Sequence, residues 1–112
     1  MICIEKNSII RNFGYDFSEG LKAMRRRYRH DESCMDTMPK ALRSFLDGKS
    51  IEDTVRNAVS LGGDTDTLAC IAGSMAEGYF GFDERVIDSV FGVISDEMFG
   101  VCERFIDYLG KI

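Results

Sequence analysis

The sequence predicts an all-α fold, a bundle of five or six short helices, on three observations. Apolar residues return at spacings of three and four along most of the 112 residues, the period of a helix with one buried face. Residues that cap or stop helices fall at short intervals between these runs. No stretch alternates apolar and polar residues long enough to make a half-buried strand. The length suits one core, so residues 1–112 read as a single helical domain, with residues 1–13 an arm of no legible period.

The arm closes like a turn at Phe13-Gly14. A first helix follows from Asp16, with Phe17, Leu21, Met24 and Tyr28 on one stripe and Asp16 or Ser18 as its cap. The second is expected to start within Asp36-Thr37-Met38-Pro39, the proline falling in its first turn, where its missing N–H costs nothing. Ala41, Leu42, Phe45 and Leu46 form its buried side, and Asp47-Gly48 reads as a left-handed stop. Ser50, with Asp53 three residues on, resembles a capping box with Asp in place of Glu. It opens a third helix carrying Ile51, Val55, Ala58 and Val59, which ends at Gly62-Gly63.

In the fourth helix Leu68, Ile71, Ala72, Met75 and Tyr79 repeat at helical spacing, while Ala69, Cys70, Gly73, Ser74, Ala76 and Gly78 keep the rest of the cylinder small. So little bulk suits a central helix approached closely from several sides. Each internal glycine costs about 1 kcal/mol against alanine, and close packing is expected to offset it; the alternative is that Gly73 or Gly78 touches a ligand. Asp83 caps a fifth helix bearing Val86, Ile87, Val90 and Phe91. Ser95 caps a sixth bearing Met98, Phe99, Val101, Cys102, Phe105, Ile106 and Leu109.

Composition narrows the function classes. A net charge of −5 disfavours nucleic acid as a partner, and the basic run Arg25-Arg26-Arg27-Tyr28-Arg29-His30 reads as a solvated helix face. No run approaches the 18 or so apolar residues of a membrane span. Met1-Ile2-Cys3-Ile4-Glu5-Lys6 has neither the basic start nor the apolar stretch of a secretory signal, so the expected compartment is the cytoplasm. Cys3, Cys34, Cys70 and Cys102 form no C-x-x-C pair and read as reduced, mostly buried thiols.

Chemistry concentrates at Gly62-Gly63-Asp64-Thr65-Asp66-Thr67. Two glycines allow one helix to stop and the next to start within a few residues. Asp66 is placed as the N-cap of the fourth helix, with Asp64 just outside it. One cap needs one side chain, and here four oxygen-bearing side chains are offered. Hard oxygen donors suit Mg²⁺, Mn²⁺ or Ca²⁺ better than zinc.

The stretch from Ile51 through Leu61-Gly62-Gly63-Asp64-Thr65-Asp66-Thr67 to Tyr79-Phe80-Gly81, preceded by Phe45-Leu46, resembles the C-terminal signature of the ADP-ribosylglycohydrolases of the dinitrogenase reductase-activating type. Gly14-Tyr15-Asp16, Tyr28-Arg29 and Ser33-Cys34 through Pro39 are similar to the segment that precedes that signature. The resemblance implies part of the family's helical fold and a binuclear Mg²⁺ or Mn²⁺ centre that cleaves the glycosidic bond between ADP-ribose and a side chain or small molecule. It makes Asp64, Asp66 and Thr67 metal ligands, with the second carboxylate shared between the ions, and assigns Gly62, Gly63 and Thr65 to substrate binding. No catalytic acid or base is assigned.

The family's other ligands lie in an N-terminal Gly-Asp motif and a Thr-Asp-Asp cluster that this chain lacks. The resemblance is therefore to the C-terminal portion only, and implies an ADP-ribose or ADP-ribosylated substrate together with a complementing N-terminal chain or a homo-oligomer. The alternative is a non-catalytic remnant that binds ADP-ribose or metal and serves as a helical interaction module. Helices that lack part of their packing would show apolar faces, so self-association is expected. Phe45, Leu46, Phe91, Phe99 and Phe105 fit such an interface or a rich core.

Overall fold

A computed structural model describes residue 8 and residues 11–15, 20–27 and 34–111, and every regular element among them is helical. Six helices follow in order: α1 (Leu21–Arg27), α2 (Cys34–Leu46), α3 (Ile51–Ser60), α4 (Thr65–Phe80), α5 (Glu84–Phe91) and α6 (Asp96–Leu109). Residues 11–13 are helical as well, and Gly14 turns the chain after them at φ 70°. The caps proposed at Asp16 and Ser18, and the stripe residues Phe17 and Tyr28, lie outside the described residues.

The chain divides into two compact units, Met1–Phe82 and Asp83–Ile112. In the first, α4 packs against both α2 and α3, which also pack on each other, and α1 lies on α2. Met24, Ala41, Ala58, Leu61, Leu68 and Ala72 form its core, with Leu21, Ala69, Ile71 and Met75 set against them. The central position expected for the crowded helix holds, but the stripe is different. Leu68, Ala72 and Ala76 are the buried residues of α4, while Tyr79 is exposed. Alanines face inward because α2 and α3 come close enough to leave room only for a methyl group. Gly73 fits this account, since a Cβ there would meet Val55 Cγ2 at 3.4 Å; Gly78 does not, since nothing lies within 4 Å.

Two sequence expectations about α2 are corrected. The helix starts at Cys34, so Pro39 lies inside it rather than in its first turn. One intrahelical bond is forgone there. The ion pairs Lys40–Asp36 and Arg43–Asp47, the latter at 2.8 Å, bridge successive turns on either side and support the helix. Gly48 is not in the left-handed region. A Cβ there would stand 2.1 Å from Thr54 Oγ1, so glycine is required by the close approach of α3.

The capping box is built differently from its usual form. Ser50 Oγ accepts from Asp53 N–H at 3.1 Å, but the Asp53 carboxylate reaches back to the N–H of Lys49, at 2.9 Å, one residue beyond the cap. In the second unit the predicted caps hold. Asp83 accepts from Arg85 N–H (3.0 Å) and Ser95 from Met98 N–H (3.2 Å). Phe91 and Phe99 join α5 to α6 edge to face, with centroids 5.0 Å apart. Neither helix has a buried residue. No helix among the described residues is long and apolar enough to cross a membrane.

Candidate functional site

The acidic turn joins α3 to α4. Leu61 closes α3 and is buried, its N–H donating to the Ala58 carbonyl at 3.2 Å, while the Gly62 N–H donates to the Val59 carbonyl at 3.2 Å. Gly62 and Gly63 then take φ of 82° and 69°, so both glycines are required by the backbone. The Thr65 N–H donates to the Gly63 carbonyl at 2.8 Å, and the Asp64 carbonyl accepts the Leu68 N–H at 3.1 Å. Two successive left-handed residues thus reverse the chain, and α4 begins at once.

The cap is Asp64, not Asp66 as the sequence reading placed it. The helix starts two residues earlier than expected, directly after the reversal at Gly62 and Gly63, which leaves Asp66 in its first turn. Asp64 serves as cap through its backbone, its side chain making no capping bond. Asp66 Oδ1 accepts from its neighbour's N–H, that of Thr67, at 2.9 Å. Asp64 and Thr65 are half-buried, and Asp66 and Thr67 are exposed. The N–H groups at the start of α4 carry partial positive charge that favours both carboxylates.

Asp64, Thr65, Asp66 and Thr67 therefore come from one helix start and offer only oxygen donors. This donor set fits a hard divalent ion such as Mg²⁺ or Mn²⁺ and suits zinc poorly. It is also short of a full shell. Among the described residues no three His, Cys, Asp or Glu side chains gather as a metal group, so carboxylates beyond these two would come from elsewhere.

The basic run holds one contact that its reading as a solvated face did not include. Arg25 and Arg26 are exposed, yet Arg25 Nε and Nη2 donate to Ser60 Oγ at 2.8 and 2.6 Å, at the last residue of α3. Local pattern carries no signal for this bond, because its partners lie 35 residues apart. The cysteine expectation is corrected in part. Cys70 is exposed and Cys102 half-buried, both as free thiols.

The profile of the ADP-ribosylglycohydrolase family matches residues 7–106. The chain belongs to the ADP-ribosylglycohydrolase family. Its helical structure agrees with that family's fold. Among relatives of this ADP-ribosylglycohydrolase-family chain, ADP-ribosylhydrolase ARH3 of Homo sapiens is 41% identical over 51 residues, 46% of this chain and 13% of that protein. The protein of the same name from Mus musculus is 39% identical over 51 residues, and that from Danio rerio 48% identical over 33 residues. The matched stretch thus covers 13% of the length of the human relative. No solved structure matches the chain at a significant level.

Proposed function

We propose that this chain contributes one side of a binuclear Mg²⁺ or Mn²⁺ centre that hydrolyses the glycosidic bond between ADP-ribose and a protein side chain or small molecule. The observation that carries the reading is the gathering of two carboxylates and a threonine hydroxyl within four residues, Asp64 to Thr67, at the first turn of α4 in a chain of this family. Asp64 and Asp66 would hold the cations, Asp66 being the shared ligand, and Thr67 would add a neutral oxygen. Divalent ions bound there supply a polarised water and stabilise charge as the bond breaks. Gly62 and Gly63, having no side chains, let ribose or phosphate oxygens come up to the backbone, and Thr65 offers a hydroxyl beside them. The remaining donors come from another segment or another chain, either a complementing N-terminal chain or a second copy.

The test is hydrolysis of ADP-ribosyl-arginine with Mg²⁺ or Mn²⁺ by the chain, both at concentrations that allow self-assembly and together with a complementing N-terminal chain, comparing wild type with the Asp66→Ala variant. Loss of a shared ligand should lower metal-dependent turnover by roughly 100-fold or more, at or beyond the upper end of what supporting residues cost. Turnover that survives the substitution would show that the assigned ligands are wrong. A second reading, binding of ADP-ribose or metal without catalysis, is favoured by the donor count, because two carboxylates hold Mg²⁺ weakly without substrate phosphates. Calorimetric heat with Mn²⁺ plus ADP-ribose, in the absence of turnover, would select it.

A further inference from the structure

We infer that Arg25 is a positioning residue for the acidic turn, acting through Ser60; this rests on the reading of Asp64, Asp66 and Thr67 as metal ligands. Ser60 is the last residue of α3 and stands four positions before Asp64. Between them lie buried Leu61 and two glycines in the left-handed region. Glycine loses the most backbone freedom on ordering. The placement of the carboxylates therefore depends on how firmly each end of Gly62-Gly63 is held. On the α4 side the Gly63 and Asp64 carbonyls accept the N–H groups of Thr65 and Leu68.

On the α3 side the anchor is a run of polar bonds through three helices. Arg25 of α1 donates twice to Ser60 Oγ, at 2.8 and 2.6 Å. Ser60 Oγ donates to the Asn57 carbonyl at 2.7 Å, and Asn57 Nδ2 donates to the carbonyl of buried Ser44 in α2 at 3.2 Å. The guanidinium also places positive charge at the C-terminal end of α3, where the helix dipole favours it. Fork-shaped donation holds the hydroxyl from two nitrogens at once, which a single ammonium cannot reproduce. Arg25 thus ties the end of α3 to α1, immediately before the turn that carries the donors.

The experiment follows backbone amides of the full chain by nuclear magnetic resonance, comparing wild type with Arg25→Ala, Arg25→Lys, Ser60→Ala and the Arg25→Ala/Ser60→Ala pair. Hydrogen exchange at residues 61–65 should rise roughly tenfold in either alanine variant, the effect of losing about one hydrogen bond to a charged group. The pair should go little further than the larger single effect, and lysine should recover part of the protection. Line broadening by Mn²⁺ at residues 64–67 should need several-fold more metal in Arg25→Ala.

Unchanged exchange at residues 61–65 in Arg25→Ala overturns the inference. So does a rise spread evenly through α3 and α4, which marks general destabilisation. If wild type shows no broadening by Mn²⁺ at any concentration, the metal reading falls, and with it the role given to Arg25 in serving metal ligands. Broadening that is present in wild type and unaltered in Arg25→Ala overturns the positioning role alone.

Discussion

Thr54 lies fully buried in α3, and among the described residues its Oγ1 has no hydrogen-bond partner. The backbone of Gly48 presses against this side chain, so the hydroxyl is shut away from water without a replacement acceptor. An orphaned buried hydroxyl costs about 1–3 kcal/mol. Thr54→Val keeps the shape and removes the polar atom, so it should stabilise the chain by about 1 kcal/mol in urea unfolding. A loss of stability of that size would show that the hydroxyl is bonded after all. At Gly48 the residue type was legible from the sequence while its reason was not. A glycine after a helix suggests a left-handed stop, but here it answers to a side chain six residues later, and no local rule carries that information.

At the scale of elements, the six helices from Leu21 onward were legible, because each carries an apolar period and three carry a side-chain cap, whereas the helical residues 11–13 fall in the arm that showed no period. Ser50, Asp83 and Ser95 make the predicted capping bonds. What escaped the pattern was set by packing. Pro39 belongs inside α2 because its neighbours bury Thr37, Ala41 and Phe45 on the same helix, and tertiary burial overrides a cost of roughly 3 kcal/mol. The inward face of α4 is an alanine stripe that hydrophobicity alone ranks below Ile71 and Met75. Gly78 marks the limit of the close-packing argument. With open space around it, Gly78→Ala should raise stability by roughly 0.5–1 kcal/mol through helix propensity, read as an upward shift in thermal midpoint. A decrease would point to a backbone requirement at this position.

For the whole molecule, the aromatic residues named from the sequence divide between the two readings they allowed. Phe45 is buried and meets Tyr79 and Phe80 edge to face, at 5.8 and 6.5 Å. Phe91 and Phe99 pack on each other, and Phe105 is exposed. Phe13 and Phe82 are exposed in the first unit, and Val93, Met98, Phe105 and Tyr108 in the second. Such a load of exposed apolar side chains favours partners. Light scattering over rising concentration should give a mass above that of one chain, and a constant monomer mass would count against assembly with a second copy. The acidic turn from Gly62 to Thr67 was legible because it sits in one contiguous stretch. The Arg25–Ser60 bond was not, because folding alone brings its partners together.

The paired glycines of the acidic turn also constrain how the gene can drift. Both sit at positive φ, and every missense change one base away from a glycine codon introduces a Cβ. All such neighbours are strained in that conformation, including alanine, serine and valine, even where the space is open, as it is at Gly62. Where the glycine codon ends in a pyrimidine, aspartate is among them and is the best tolerated, because its short side chain can bond to the local backbone. From such a codon the most accessible mutational exit therefore leads to a third carboxylate beside Asp64 and Asp66.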